Sequence, residues 1–369
     1  MVFQNPIIKD ILKYYRTLWA INYAISLMEW DRETYMPLDG VNSRGIAVAE
    51  LNVLAQKLLL DEKFVNMVEK AGEIEDLNDY EKGVIRVLKR AIRIAKALPS
   101  DFVMEYSKTI EEASIVWRDA KKKNDYNKFK PYLAKIIELT RKKAEYLGYD
   151  EHPYNALIDL YEEGYKTRDV DKILNPLEPG LKKIIDKIIN EDLFPQEHPL
   201  EKEKYDKEAM KYINYRILEI LGYPFTRGRL DESTHSFTMP ISLRDARITT
   251  RYEGYDFKRS LLSTIHEFGH ALYDLQIDER LEYTPICRGA SMGVHESRYR
   301  FHIKAYNCIC FSWLVFFDYC YDFYFLSMMF LEFFLVFFGW VYDVSSTSIA
   351  YYLGFEDVDY AHTPTKTIM

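Results

Sequence analysis

The stretch His266-Glu267-Phe268-Gly269-His270 constrains this chain more than any other part of it. It is an H-E-x-x-H motif set inside the segment Phe257 to Gln276. There Leu261, Leu262, Ile265, Phe268, Ala271, Leu272 and Leu275 recur at helical spacing and give a helix a core-facing side. Two histidines at i and i+4 project from one helical face and can grip a single Zn²⁺ ion. Glu267, between them, stands beside the position that a catalytic zinc leaves open for water. The competing reading is two satisfied helix histidines with no ligand role.

The bulk composition narrows the field around that motif. A chain of 369 residues can bury a large core as one big domain or two smaller ones. Its net charge of −8 argues against nucleic acid as a partner. The opening Met-Val-Phe-Gln-Asn-Pro lacks a basic region followed by an apolar run, so no signal peptide is expected. Four cysteines occur, Cys287, Cys308, Cys310 and Cys320. Their spacing suits neither a zinc knuckle nor a disulfide framework, and it predicts free thiols in a reducing cytoplasm.

The segments before the motif read as mainly helical. Amphipathic periodicity predicts helices over Ile7–Leu27, Ser43–Leu60, Asn78–Ala97, Phe102–Lys123, Phe129–Leu147, Asp169–Asn190 and Lys204–Leu221. Pro99-Ser100-Asp101 and Gly148-Tyr149-Asp150 supply stop and start signals, and Phe194–Pro199 reads as a loop. No repeat of 20–50 residues is visible, which sets a solenoid aside. Residues 224–253 differ, because Pro, Gly, Ser and Thr replace helix formers. Ser236–Tyr252 is strand-like, with Ile241, Leu243, Ile248 and the pair Thr249-Thr250. A small sheet beside a zinc-binding helix suits a peptidase, because an extended peptide can add to a sheet edge through backbone hydrogen bonds.

Two histidines leave a catalytic zinc site short of one protein ligand. Glu296, 26 residues beyond His270, is the best candidate, with Arg280–Gly289 forming the return loop. His295 beside it is the alternative, although neighbouring helical residues point about 100° apart. A solvated helix residue is the competing reading of Glu296. Asp245 in the strand-like segment could accept a ring N–H from a metal-bound histidine. Arg247 could pair with Asp245 or meet substrate, and His235 could donate to substrate; an ordinary ion pair and an ordinary loop histidine are the competing readings. The implied chemistry is metal-assisted amide hydrolysis, with Glu267 as general base.

At these residues the chain resembles the thermostable zinc carboxypeptidases of the carboxypeptidase Taq type. Trp30-Asp31-Arg32-Glu33-Thr34-Tyr35-Met36-Pro37 looks like the family's W-D-x-x-T-x-M-P segment. Pro153-Tyr154-Asn155-Ala156-Leu157-Ile158-Asp159 is similar to its P-Y-D-A-L-L-D segment, and Leu160-Tyr161-Glu162 follows. Asp245–Thr249 matches its D-x-R-x-T motif and His295-Glu296-Ser297 its H-E-S motif, so the resemblance spans residues about 19 to 297. It implies a mainly α fold, a large helical zincin-like metallopeptidase subunit with a small β-sheet next to the zinc helix. It also implies a cytoplasmic homodimer that removes C-terminal residues from peptides with a free C-terminus. It carries the zinc ligands onto His266, His270 and Glu296 and the general base onto Glu267. Cobalt and manganese also suit a His₂Glu donor set.

The chain departs from that pattern in two places. The family's H-P-F motif reads His235-Ser236-Phe237 here, and the continuation after Ser297 is not recognisable. Residues 301–369 hold nine of the 106 charged residues, yet 22 of these 69 positions are aromatic. The division is therefore expected at 297, with a helical metallocarboxypeptidase region at 1–297 and a divergent aromatic tail at 298–369. Asp318, Asp322 and Glu332 interrupt any membrane span in the tail, and a packed helix pair should show clearer polar faces. The favoured reading is a shifted reading frame, since Phe, Tyr and Cys codons are all T-rich. Two rival functions stand beside the carboxypeptidase: a zinc endopeptidase or oligopeptidase, and a non-catalytic metal-binding fragment.

Overall fold

The structure, a computed structural model, describes residues 2–193 and 202–296. Helix α1 (Pro6–Thr34) starts where Asn5 accepts the amide of Ile7 and Pro6 occupies the first turn. It runs on past the expected end at Leu27, and the polar stretch that follows finds partners within the helix and on neighbouring helices. Asp31 pairs with Arg44, and Arg32 pairs with Glu33 and Glu111. Helix α2 (Val41–Leu59) is followed after two residues by α3 (Glu62–Ala71), which periodicity missed. Asp61 separates the two by capping the amide of Phe64 at 3.1 Å. Helix α4 (Asp79–Ala97) opens on a reciprocal capping box between Asn78 and Glu81.

Three apolar stripes on α1, α3 and α4 close one core. Ile8, Ile11, Phe64, Val68, Val84 and Leu88 lie at its centre with essentially no exposed surface. Each such side chain contributes about 1.5–3 kcal/mol by leaving water. Helix α5 (Ser100–Lys123) packs along α2 and against α6 (Tyr126–Leu147), and Ala113, Ala120 and Phe129 fill the second seam. The Pro153 segment forms α7 (Tyr154–Tyr161). The helix expected over Asp169–Asn190 is two helices, α8 (Thr167–Leu174) and α9 (Leu177–Asn190). Pro176 separates them, because its ring has no amide to donate back to the preceding turn, although Asn175 keeps helical backbone. Helix α10 (Lys207–Ile220) then leads into the sheet.

The strand-like segment folds as a hairpin within the expected small sheet. β2 (Thr238–Ser242) and β3 (Asp245–Thr250) are antiparallel, with Thr238 opposite Ile248 and Met239 opposite Arg247. β1 (Leu230–Glu232) joins the other side of β3 in parallel, giving the order β1-β3-β2. Pro240, which has no amide to donate, suits the edge strand β2. The approach to β1 depends on Gly228: a Cβ there would lie 2.1 Å from the Tyr223 hydroxyl and 2.2 Å from the Ala246 carbonyl. That hydroxyl donates to the same carbonyl at 2.6 Å and ties the loop to β3.

Helix α11 (Phe257–Leu275) lies against β3, β2 and α10. Phe268, Ala271 and Leu275 meet Leu218, Tyr223, Ala246 and Ile248 in a third core. The chain returns through a short 3₁₀ turn (Glu279–Leu281) to a helical stretch at 292–296. Tyr283 fixes the return against α1, its ring edge-on to Trp19 at 4.6 Å and under the Arg16 guanidinium at 5.0 Å. Ile286 packs into the core of α1, α3 and α4. Cys287 carries a free thiol, which burial pushes up to about 11. Among the described residues no helix is long and apolar enough to cross a membrane. The Phe194–Pro199 loop, Cys308, Cys310, Cys320, the boundary at 297 and the tail at 298–369 lie outside the described residues.

Candidate metal centre

Helical periodicity gives α11 two working faces. Phe268, Ala271 and Leu275 lie about 140–200° around the axis from His266, whereas His270 and Asp274 lie within about 80° of it. The first set fills the core and the second forms a buried polar stripe. His266, Glu267, His270 and Asp274 are all less than a tenth exposed. The two imidazoles converge through their Nε2 atoms, which lie 3.1 Å apart with the rings at 83°.

The return of the chain brings Glu296 to this pair. Its Oε1 lies 3.6 Å from His270 Nε2, and the ligand atoms of His266, His270 and Glu296 all fall within 4.8 Å of one another. Two donors each about 2.0–2.1 Å from a shared tetrahedral ion lie roughly 3.3 Å apart, so these atoms are spaced to hold one. Protonation states fit as well. Burial, with His266 and His295 nearby, pushes His270 down to about 3, which leaves the ring neutral and able to ligate. His295 is not one of the three converging groups. It stacks flat on His270, with centroids 4.5 Å apart and planes at 5°, and meets Tyr273 edge-on.

Glu267 points from the same helix toward the sheet. The hydroxyl of Thr238 in β2 lies 2.7 Å from its Oε2 and 2.8 Å from its carbonyl oxygen. Burial pushes the carboxyl up to about 8, against the lowering effect of Thr238 and with the charge of Glu296 adding to the rise. A cation held by the three ligands opposes that rise and favours the ionised carboxylate. One turn beyond His270, burial also pushes Asp274 up to about 7, against the opposing charge of Arg288.

The remaining expected residues do not join the ligand cluster. Asp245 and Arg247 form a two-pronged ion pair, with Arg247 Nε and Nη2 each donating at 2.8 Å. The Asp245 carboxylate thus serves Arg247. The guanidinium lies over Trp30, 5.7 Å from the ring, and Phe237 meets the same indole edge-on at 5.5 Å. Three of the motif segments therefore meet at one indole. His235 is exposed, and its carbonyl accepts the hydroxyl of Ser233. Thr238, Asp274 and Glu162 escaped sequence reasoning. Asp274 left a trace there as an acid continuing the i, i+4 spacing of the two histidines, and Glu162 as the end of the Pro153–Glu162 segment.

The chain matches the family model for Carboxypeptidase Taq (M32) metallopeptidase over residues 10–309. It is 56% identical over 301 residues to the thermostable carboxypeptidase 1 of Pyrococcus furiosus, covering 81% of this chain and 60% of that protein. It is 33% identical over 295 residues to carboxypeptidase 1 of Bacillus subtilis, covering 80% and 59%. The chain thus spans about 60% of the length of these curated relatives. Among solved structures, an Apo-Mg form of the Pyrococcus furiosus carboxypeptidase superposes with a TM-score of 0.74 at 56% identity, covering 82% of this chain and 61% of that one. Metallocarboxypeptidase 1 of Trypanosoma cruzi superposes with a TM-score of 0.69 at 30% identity, covering 80% and 60%.

Proposed function

The chain belongs to the carboxypeptidase Taq (M32) metallopeptidase family, and from that premise we propose that it is a zinc-dependent carboxypeptidase. It releases residues from peptides that carry a free C-terminus. The observation that carries this reading is the convergence of His266, His270 and Glu296 within 4.8 Å, beside the buried carboxyl of Glu267. The three side chains would hold one divalent ion, and a second metal such as cobalt suits the same donors. That ion, when bound, supplies Lewis acidity, polarising a scissile carbonyl and acidifying a water.

The chain's own groups do the rest. Glu267 Oε2 takes the proton of the attacking water and returns it to the leaving nitrogen. Thr238 orients that carboxylate from the edge strand β2. A peptide laid along β2 would be registered by backbone hydrogen bonds on the strand that positions the base. A cytoplasmic homodimer is part of the same proposal and rests on the family likeness.

The decisive assay compares a short peptide with its C-terminally amidated form, using zinc-loaded protein. Release of the terminal amino acid from the free acid, with little turnover of the amide, is expected. Internal cleavage of both peptides would favour an endopeptidase. Turnover of neither, with metal bound, would mark a non-catalytic metal-binding chain.

A further inference from the structure

Glu296 faces a problem that the two histidines do not. His266 and His270 are set by a 19-residue helix buried in the core, whereas Glu296 follows a long return loop and only the start of a helical stretch at 292–296. Its position depends on how the start of that stretch is anchored. Ser291 begins it, accepting the amide of Val294 on its hydroxyl at 3.0 Å and that of His295 on its carbonyl at 3.0 Å. A second anchor comes from 129 residues earlier in the chain. Oε1 of Glu162 accepts both the Ser291 hydroxyl, at 2.8 Å, and the backbone amide of Gly293.

From this geometry we propose that Glu162 is a positioning residue for the metal centre, holding the segment that delivers Glu296 to His266 and His270. The first amides of a helical stretch lack partners within it, and a negative charge there is stabilised by their aligned dipoles. A single carboxylate oxygen answers both needs. The backbone that carries this carboxylate is itself fixed. Glu162 ends α7, donating its amide to Ile158 at 2.8 Å and accepting that of Tyr165 at 3.1 Å. Asp159, one turn earlier, pairs with Arg90 and Arg93 of α4. Gly293 leaves room for the approach, since a Cβ there would lie 3.1 Å from Glu162 Oε1. The closing residue of the Pro153–Glu162 segment, which has no place in the chemistry itself, thereby acquires a role.

The inference rests on the proposed metal centre, and its test keeps the two apart. Zn²⁺ is titrated into metal-depleted full-length protein against a chromophoric chelator, with circular dichroism and thermal unfolding recorded before metal is added. His270→Ala serves as the control that removes a ligand. Glu162→Ala is expected to weaken Zn²⁺ binding about 10–100-fold with the fold retained. Glu162→Gln, which keeps an amide oxygen in place of Oε1, is expected to recover affinity to within about threefold of the unsubstituted protein. Should Glu162→Ala not fold, Ser291→Ala removes one of the two donors and is expected to weaken binding at least about threefold. Unchanged affinity in the folded variant, with His270→Ala defective, would overturn this inference alone and leave the stacking of His295 on His270 as sufficient anchor. No Zn²⁺ binding by the unsubstituted protein would overturn the metal centre and this inference with it.

Discussion

The hydroxyl of Thr238 sits between two oxygens of one residue, 2.7 Å from Glu267 Oε2 and 2.8 Å from the Glu267 carbonyl. A hydroxyl has one proton to give and lone pairs to accept with. When Glu267 is ionised, Thr238 donates to Oε2. When Glu267 is protonated, Oε2 donates to Thr238, which turns its own proton to the carbonyl. Both states of the carboxyl are thus satisfied without movement of the backbone. Thr238→Val should lower kcat about 10–100-fold, the loss expected for a hydrogen bond to a charged group, with Zn²⁺ affinity within about twofold. Steady-state kinetics on a peptide with a free C-terminus checks this, and an unchanged kcat would remove Thr238 from the mechanism.

Asp274 gives the metal-free fold a pH dependence. Its carboxyl is held at about 7, chiefly by burial. The folded chain therefore binds this proton more tightly than the unfolded chain. The stabilisation is full below about pH 4 and is lost as pH rises through 7. Asp274→Asn carries no charge to bury and should be the more stable of the two at pH 8, by about 4 kcal/mol at most. The two should converge near pH 4. Urea unfolding of both metal-depleted proteins at pH 4 and pH 8 measures the difference. A gap that does not narrow on acidification would contradict the assignment.

Much of this arrangement was legible in the sequence because it is local. The periodicity around His266 and His270 determines both the helix and its buried side, and α11 ends within one residue of the expected boundary. Capping chemistry likewise marks the starts of α4 and α5 within two residues. What stayed hidden depends on distance along the chain. Glu162 meets Ser291 across 129 residues, and Thr238 meets Glu267 across 29, and neither contact leaves a periodic signal. The split between α8 and α9 is a different failure. The apolar spacing on both sides of Pro176 is helical, and the proline that breaks it was present to be read. The strand-like segment conceals its turn for a similar reason, since Leu243, at the bend, is buried like a strand residue.

The Asp245–Arg247 pair should be worth more than an ordinary surface ion pair. It is two-pronged, about four-fifths shielded on both sides, and its guanidinium lies over Trp30. A double-mutant cycle with Asp245→Asn and Arg247→Gln should give a coupling free energy of about 1 kcal/mol or more. Chemical denaturation of the four proteins supplies the values. Zero coupling would return the D-x-R-x-T segment to a role in contacting substrate rather than in tying Trp30 to β3.

In the proposed function His266, His270 and Glu296 form one metal centre, and Glu267 stands beside it without being a ligand. Metal content per chain, measured by inductively coupled plasma mass spectrometry after zinc loading and exhaustive dialysis, tests it most directly. One zinc is expected for the unsubstituted protein, one for Glu267→Gln, and little for His270→Ala or Glu296→Ala. Equal zinc in all four proteins, or loss of zinc in Glu267→Gln alone, would contradict it.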